Sequence, residues 1–375
     1  MDVATFQAAG LYDPEAPAAA DRLALLPYLD GLGATVAEIA EADAEGVLFA
    51  LSAYRAAFVP VQRLPLADVA QRAATTQDRI RRMLLAQGLT VDDDSLLPAF
   101  VVDDAIAFAL GTSLFGEEAT LAFTQVMGAS VARIIDAAIS LFYGEISSTM
   151  AAGTSELERA RINENAGSVF ALLPSVIDHL LEQRFRLDSV RAASTRADAV
   201  GQTATVAVGF VDLVGSTAWA GQLSLKEHAL ALARFESAAW DIATEYGGRV
   251  VKLIGDEAMI VAATTETVCR IAVELCATVG ADPGLPGARA GIAFGEVTSR
   301  SGDFVGPLVN LAARSVKVAA EGSVVMTAEA RDQLGTDTPW RLVEAGTPTL
   351  RGISTPVPLY AVATGAADTG DQDDR

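Results

Sequence analysis

The sequence contains few of the residues that bind metals through nitrogen or sulfur. Among its 375 residues, two are cysteines and two are histidines. If Cys269 and Cys276 share a helix, two turns separate them by about 10 Å along its axis, which is too far for a disulfide. The sequence also has no Cys-x-x-Cys pair and no histidine cluster, which excludes the common zinc sites. We expect both thiols to be buried in a cytoplasmic protein.

Positive charge is also scarce. The chain has 27 lysines and arginines against 48 aspartates and glutamates, which gives a formal net charge of −21. Because nucleic-acid binding needs clustered basic side chains, we expect no nucleic-acid partner. A nucleotide ligand is not excluded, since a metal ion can carry the charge of its phosphates.

Long hydrophobic runs are missing, although 51% of the residues are hydrophobic. The longest uncharged stretch in the apolar middle of the chain is Ala119–Ala132, which is shorter than the ~20 residues of a membrane-spanning helix. The N-terminus also lacks the basic region of a secretory signal. Both absences favour a cytoplasmic location.

The pattern of apolar residues changes near residue 200, which indicates an α+β protein with two domains. Residues 1–186 predict an all-α regulatory domain, and residues 187–203 predict a linker. The helices of the regulatory domain are expected at about 17–28, 34–43, 66–88, 97–110, 117–145 and 153–197. The last of them is expected to be broken or kinked at Pro174. Strands and helices then alternate over 204–363 in the order β-α-β-β-α-β, which is the ferredoxin-like arrangement. Residues 364–375 are acidic and predict a disordered tail.

The first motif with chemical meaning is Phe210–Thr217. An apolar strand delivers the carboxylate of Asp212, and Gly215, Ser216 and Thr217 then open a helix. Backbone amides at a helix start favour phosphate, and a carboxylate beside them can hold a divalent cation that bridges phosphate oxygens. Taken alone, a helix cap after a core strand explains this motif equally well.

The second motif, Gly247–Glu257, places another carboxylate, Asp256, in a hairpin turn. Paired carboxylates on adjacent strands suit two metal ions, although aspartate is also common in hairpin turns. Lys252 stands out because its neighbours are apolar, and buried lysines are rare without a partner. The alternative is an edge-strand lysine whose ammonium group reaches solvent.

The third motif is Gly302–Arg314. Gly306 and Pro307 form a favourable helix start, and Asn310 and Arg314 then lie four residues apart on one helical face. An amide and a guanidinium together can stabilise charge on a transferring phosphoryl group. Alone, the pattern also fits a surface helix with a solvated arginine.

The three motifs, in this order, resemble the class III nucleotidyl cyclases, above all the adenylate cyclases of mycobacterial type, over residues 204–363. The resemblance implies a ferredoxin-like cyclase domain that uses two Mg²⁺ or Mn²⁺ ions. It also implies residue roles: metal binding by Asp212 and Asp256, adenine recognition by Lys252 and Asp303, transition-state stabilisation by Asn310 and Arg314, and phosphate binding by Arg351.

The implied reaction converts ATP to 3′,5′-cyclic AMP and pyrophosphate. In this family the site lies between two catalytic domains, so the resemblance implies a homodimer with two symmetric sites. Lys252 is a donor and Asp303 an acceptor, which matches the N1 acceptor and amine donor of adenine. We therefore expect ATP rather than GTP as the substrate.

By architecture alone, the resemblance extends to the N-terminal half. It implies an inhibitory regulatory domain that responds to pH and binds a fatty acid. We further expect a pocket for a fatty acid or other lipid under the helices of residues 97–145. His179 is the histidine of this half, and histidine commonly titrates near neutral pH. A surface or capping role explains His179 more simply, and several carboxylates are equal candidates as sensors: Asp103, Asp104, Glu117, Glu118 and Asp136.

Two other functions fit parts of the pattern. A catalytically silent, nucleotide-binding dimerisation module would typically lack a metal aspartate or the transition-state pair, and this chain has both. A diguanylate cyclase would need a Gly-Gly-Asp-Glu-Phe turn, which Ile254–Ala258 only half matches. The helix with Asn310 and Arg314 favours the class III cyclases over both.

Overall fold

The computed structural model describes residues 1–142, 144, 153–194, 203–336 and 338–363. The chain divides into two compact units, Met1–Ser194 and Thr195–Arg375. Each unit has its own buried hydrophobic clusters. The expected α+β class is confirmed, with a mainly helical unit followed by a unit built on one sheet.

The first unit is helical apart from one short ladder. Its two strands, β1 (Arg63–Pro65) and β2 (Leu96–Pro98), pair antiparallel. Its helices are α1 (Val3–Ala8), α2 (Ala19–Gly31), α3 (Val36–Ala44), α4 (Ala50–Ala57), α5 (Leu66–Arg72), α6 (Gln77–Ala86), α7 (Val101–Phe115), α8 (Glu117–Leu141), α9 (Glu156–Phe170) and α10 (Leu173–Ser194).

Two of the predicted long helices are divided in the structure. The helix predicted over 66–88 breaks because Ala74 adopts a positive φ of 48°, and Thr76 caps the new helix by accepting a hydrogen bond from the Arg79 amide. The helix predicted over 153–197 ends at Phe170, and Pro174 lies at the start of the next helix, where its missing N–H costs nothing. Part of the predicted helix over 117–145 lies outside the described residues.

Two separate clusters form the interior of the first unit. Helices α1 to α4 pack around Phe6, Leu26 and Ile39, together with Ala160 from α9. Helices α5 to α7 and the short ladder surround Val69 and Met83. Among the described residues, α8 is the one helix long and apolar enough to cross a membrane by length and composition.

The second unit alternates strands and helices. In chain order they are β3 (Thr203–Leu213), α11 (Ser216–Ala220), α12 (Leu225–Glu245), β4 (Arg249–Ile254), β5 (Glu257–Ala262), α13 (Thr265–Ala281), β6 (Ala288–Arg300), β7 (Asp303–Val305), α14 (Pro307–Ser315), β8 (Val324–Thr327), α15 (Ala328–Leu334), β9 (Leu342–Gly346) and β10 (Leu359–Val362). The strand order is β4-β5-β3-β6-β8-β10-β9, with β7 paired to β6.

The central strand β3 has a different environment on each face of the sheet. Val211 and Leu213 belong to the cluster that α12 and α13 cover, whereas Val208 and Phe210 belong to the cluster that α14 covers. Because side chains alternate along a strand, Asp212 lies on the α14 face.

The two cysteines lie in α13 and confirm the expectation of buried free thiols. Burial raises the pKa of Cys269 to about 12, and it raises the pKa of Cys276 to about 12 as well. Both thiols are therefore neutral core side chains at physiological pH.

Candidate active site

Asp212 is a buried carboxylate at the end of the central strand. The residue is 3% exposed, and two basic side chains neutralise it. Arg289 donates to Oδ2 through Nε at 3.1 Å and through Nη2 at 3.0 Å. Lys317 donates to Oδ1 through Nζ at 2.8 Å. Arg289 stands opposite Asp212 in the register of β3 and β6, so strand pairing fixes its position.

Sequence reasoning singled out neither of these cations. Arg289 interrupts the mostly apolar first half of β6, which is the signal that did single out Lys252 in β4. Lys317 lies in the single 3-10 turn Val316–Val318 after α14, and nothing in its local sequence points to Asp212.

The turn between β4 and β5 brings two more carboxylates towards Asp212. Gly255 forms the turn with a positive φ of 64°, and the amide of Leu213 donates to the carbonyl of Asp256 at 3.1 Å. Glu257 pairs directly with Asp212 in the β3–β5 register. Paired residues on adjacent strands place their side chains on the same face. Asp212 and Glu257 therefore share one face of the sheet, beside the turn that carries Asp256.

Glu257 is a mostly buried carboxylate whose pKa is raised. Its side chain is 16% exposed, and burial is the main cause that raises its pKa. The charges of Asp212 and Asp256 raise this pKa further, whereas Lys317 lowers it. Within the described residues, Glu257 Oε1 has no hydrogen-bond partner, and Lys317 Nζ lies 3.7 Å from it.

This donor set fits a hard divalent cation that shares its coordination with a substrate. No group of three or more histidine, cysteine, aspartate or glutamate side chains among the described residues forms a complete metal cage. Mg²⁺ commonly binds through one or two carboxylates and completes its shell with water and phosphate oxygens. Asp212 and Asp256 provide such carboxylates, and the unpartnered oxygen of Glu257 beside them marks a place where additional positive charge is favourable.

Lys252 and Asp303 form a direct pair. A register shift in β4 places Lys252 opposite Met259, which belongs to the α14-face cluster with Phe210. Lys252 Nζ lies 2.5 Å from Asp303 Oδ2, and both side chains are 37% exposed. Asp303 Oδ1 also accepts from the Phe304 amide at 2.7 Å. The pair is thus both oriented and accessible.

Helix α14 positions Asn310 and Arg314. Gly306 has a positive φ of 137°, and Pro307 follows it in the first turn. Asn310 is exposed and Arg314 is half-buried. A methyl group on Gly352 would lie 3.4 Å from Arg314 Nη1. The guanidinium therefore packs against the segment that carries Arg351, which is itself exposed.

The remaining predicted site residues are accessible at two separate places. Gly215 has a positive φ of 66° and begins the short helix α11, with Gly215 and Thr217 exposed and Ser216 half-buried. The Val214 amide donates to the Gly287 carbonyl at 2.7 Å, which fixes this turn beside the end of β3. His179 is an exposed residue of α10 in the first unit.

Comparison with known proteins gives relatives that match nearly the whole chain and relatives that match part of it. No family model matches the chain. An uncharacterized protein of Mycobacterium tuberculosis is 32% identical over 366 residues, which cover 96% of this chain and 94% of that protein. A pH-sensitive adenylate cyclase of M. tuberculosis is 32% identical over 246 residues, 62% of this chain and 61% of that protein. An adenylate cyclase of Streptomyces coelicolor is 38% identical over 129 residues, 34% of each chain.

These relatives, together with the three motifs, define the class: the chain belongs to the class III nucleotidyl cyclases. The uncharacterized mycobacterial relative matches this chain over nearly its whole length, the N-terminal half included. Among solved structures, the adenylyl cyclase CyaB of P. aeruginosa has a TM-score of 0.40 and 21% identity, covering 45% of this chain and 98% of that one. Values this low carry no part of the assignment.

Proposed function

We propose that this protein is an adenylate cyclase that converts ATP to 3′,5′-cyclic AMP and pyrophosphate. The observation that carries the proposal is the carboxylate pair at the end of β3, where Asp212 is buried and the Asp256 turn is hydrogen-bonded to the next residue of β3. Family membership and relatives named adenylate cyclase support the same reaction.

Asp212 and Asp256 are the residues that would hold two Mg²⁺ or Mn²⁺ ions. Such ions supply two effects when bound, since they neutralise phosphate charge and lower the pKa of a coordinated hydroxyl. No side chain is then required as a dedicated base for the ribose 3′-hydroxyl.

The chain's own residues bind and orient the nucleotide. The ribose 3′-hydroxyl gives its proton to water, and its oxygen forms a bond to the α-phosphorus. The bond from that phosphorus to the oxygen that bridges to the β-phosphate breaks, and pyrophosphate leaves. Arg314 stabilises the charge that develops on the α-phosphate, and Asn310 orients the ribose. Gly215, Ser216 and Thr217 offer backbone amides to the phosphates, and Arg351 adds a positive charge.

Base recognition rests on the pair of Lys252 and Asp303. The ammonium donates to adenine N1, and the carboxylate accepts from the exocyclic amine. Guanine presents its acceptor and donor at these two positions in the reverse order. Because the two side chains already lie 2.5 Å apart, little ordering is needed on binding. The donor–acceptor match with adenine favours ATP over GTP.

We propose that the active form is a homodimer with two symmetric sites. Three exposed apolar side chains border the site residues: Ile254 before the Asp256 turn, Val305 between Asp303 and α14, and Val318 after Lys317. Exposed apolar groups beside a functional site are typical of a covered surface. Each site takes the metal aspartates from one protomer and Lys252, Asp303, Asn310 and Arg314 from the other.

A mixing experiment tests the reaction and the shared site together. Asp212→Ala and Arg314→Ala are each expected to be inactive. In an equimolar mixture of the two, half of the dimers are heterodimers with one intact site of two, so about a quarter of the wild-type cyclic AMP formation should return. No recovery in a mixture shown to exchange subunits would contradict the shared site.

The first unit is proposed to inhibit and regulate catalysis in response to pH. A relative named as pH-sensitive aligns with 62% of this chain at 32% identity. Helix α7 contributes Asp104, whose pKa is raised by partial desolvation and by the charge of Asp103. The test compares the pH profile of cyclic AMP formation by the full chain with that of residues 200–375. Identical profiles would contradict regulation by the first unit.

A fatty acid is the proposed ligand of the first unit. Helices α6, α7 and α8 line a cavity of about 680 Å³, whose wall includes Phe108, Phe123 and Met127. The wall is predominantly apolar, as expected for a hydrocarbon chain. Mass spectrometry of an organic extract of the denatured protein tests this assignment, and an extract without any apolar ligand would count against it.

A further inference from the structure

The metal-binding aspartate of the proposed function is already neutralised by the chain itself. The Asp212 side chain is 5% exposed, and both of its oxygens accept from cations, Oδ2 from Arg289 and Oδ1 from Lys317. A divalent ion needs a carboxylate lone pair, so it competes with at least one of these donors.

The two cations differ in how firmly they are held. Arg289 is on a central strand, its side chain is 22% exposed, and its Nη1 also donates to the Lys317 carbonyl at 3.2 Å. Lys317 is on a single 3-10 turn, and its side chain is 54% exposed. The flexible stem of the lysine allows its ammonium to move, whereas the arginine is fixed by strand pairing.

A second acceptor lies within reach of the lysine. Glu257 Oε1 is 3.7 Å from Lys317 Nζ, and in the described part of the chain this buried oxygen has no hydrogen-bond partner. An ammonium group that leaves Asp212 Oδ1 can therefore bind Glu257 after a small rotation of its stem and remain near a negative charge.

We propose that Lys317 is a tethered counterion that occupies the divalent-cation position at Asp212 and transfers to Glu257 when an ion binds there. This inference rests on the proposed function, because it requires Asp212 to be a metal ligand. Like charges repel strongly at contact distance, so Lys317 cannot remain on Oδ1 beside a bound ion. In the metal-free protein it balances the charges of Asp212 and Glu257.

The inference predicts that Lys317 weakens metal binding. A lysine that only stabilised the fold would leave metal affinity unchanged or support it. Removal of the competing ammonium should instead lower the dissociation constant for Mn²⁺ about 3- to 10-fold, the range for an ion pair with one exposed and one buried partner.

The dissociation constant is measured by titrating the full chain with Mn²⁺ alone and monitoring the electron paramagnetic resonance signal of the free ion. Lys317→Gln is compared with wild type and with Lys226→Gln, which removes the same charge from an exposed position of α12. We expect tighter binding for Lys317→Gln and no change for Lys226→Gln. Equal or weaker binding for Lys317→Gln overturns the tethered counterion.

Asp212→Asn separates this inference from the proposed function. If Asp212→Asn loses Mn²⁺ binding while Lys317→Gln matches wild type, the metal site stands and the counterion is wrong. If Asp212→Asn binds Mn²⁺ as wild type does, or if no protein in the set binds it, the proposed metal site and the counterion both fail.

Thermal unfolding with and without Mn²⁺ distinguishes the counterion from a structural lysine. In EDTA, Lys317→Gln should unfold at a lower temperature than wild type, because Asp212 retains one cation instead of two. Saturating Mn²⁺ should then raise its Tm by more than it raises that of wild type. An equal Mn²⁺-induced rise in both proteins would contradict the inference.

Discussion

The close packing of α14 on the sheet gives the sharpest structural prediction. Gly291 lies in β6 opposite Phe210, under the end of α14. A methyl group at this position would lie 2.8 Å from the Ala312 carbonyl oxygen and 2.9 Å from the Ser315 carbonyl carbon, with the Val316 nitrogen closer still. All three are backbone atoms, so no side-chain rotation relieves the overlap.

Gly291→Ala must therefore displace the helix that carries Arg314 and the turn that carries Lys317. Restoring ordinary van der Waals separations requires a shift of roughly 0.5–1 Å. Overpacking of this kind costs about 1–3 kcal/mol of unfolding free energy. Since a ~1 Å misplacement of catalytic groups can cost ~10²-fold in rate, we expect cyclic AMP formation to fall more steeply than stability.

Gly280→Ala is the matched control, because this glycine of α13 is exposed and has nothing within 4 Å of the added methyl group. It should keep wild-type activity and gain up to about 1 kcal/mol of stability. Both variants are compared by thermal unfolding and by turnover of ATP. Wild-type stability and turnover in Gly291→Ala would refute the packing argument.

Three further predictions concern single side chains. Lys252→Ala should raise the KM for ATP about 10- to 100-fold, because a charged hydrogen bond to the base is lost, while Lys226→Ala should leave KM unchanged. Asp104 is exposed but lines the cavity between α6, α7 and α8, and its partial desolvation there raises its pKa. Ionisation of Asp104 therefore opposes folding, and stability falls as the pH rises through the titration of this carboxyl group. Asp104→Asn should therefore raise Tm at neutral pH and give no gain below about pH 3, where the aspartate is protonated in both states; a gain of equal size at both pH values would contradict this. The native protein should resist iodoacetamide at Cys269 and Cys276, whose pKa values are about 12, and mass spectrometry should find two alkylated thiols only after unfolding.

The features of the site that sequence reasoning predicted depend on local sequence pattern or on a single strand pairing. The apolar run before Asp212, the glycine turn before Asp256 and the Gly306–Pro307 helix start each have a local physical cause, and the structure contains all three. Lys252 and Asp303, 51 residues apart, form a direct pair. The apolar neighbours of Lys252 indicated that it needs a partner, and the family resemblance named Asp303. The alternative of an edge-strand lysine also fits, because β4 is at the edge of the sheet and the Lys252 side chain is 37% exposed.

The features that sequence reasoning missed depend mainly on tertiary contacts between residues far apart in the chain. Arg289 and Lys317 reach Asp212 from 77 and 105 residues away, and only the packing of α14 on the sheet brings Lys317 there. The break at Ala74 was missed because an alanine with positive φ has no sequence signature. The three-residue strands β1 and β2 are too short for a period-2 pattern to be recognised.

The most direct test of the account is chromatographic analysis of the products that the purified full chain forms from ATP and Mn²⁺. We predict cyclic AMP and pyrophosphate in equal amounts from wild type, far less cyclic GTP when GTP replaces ATP, and neither cyclic nucleotide from Asp212→Ala. Cyclic AMP formation by Asp212→Ala at the wild-type rate, or cyclic GTP as the main product, would contradict the central claim.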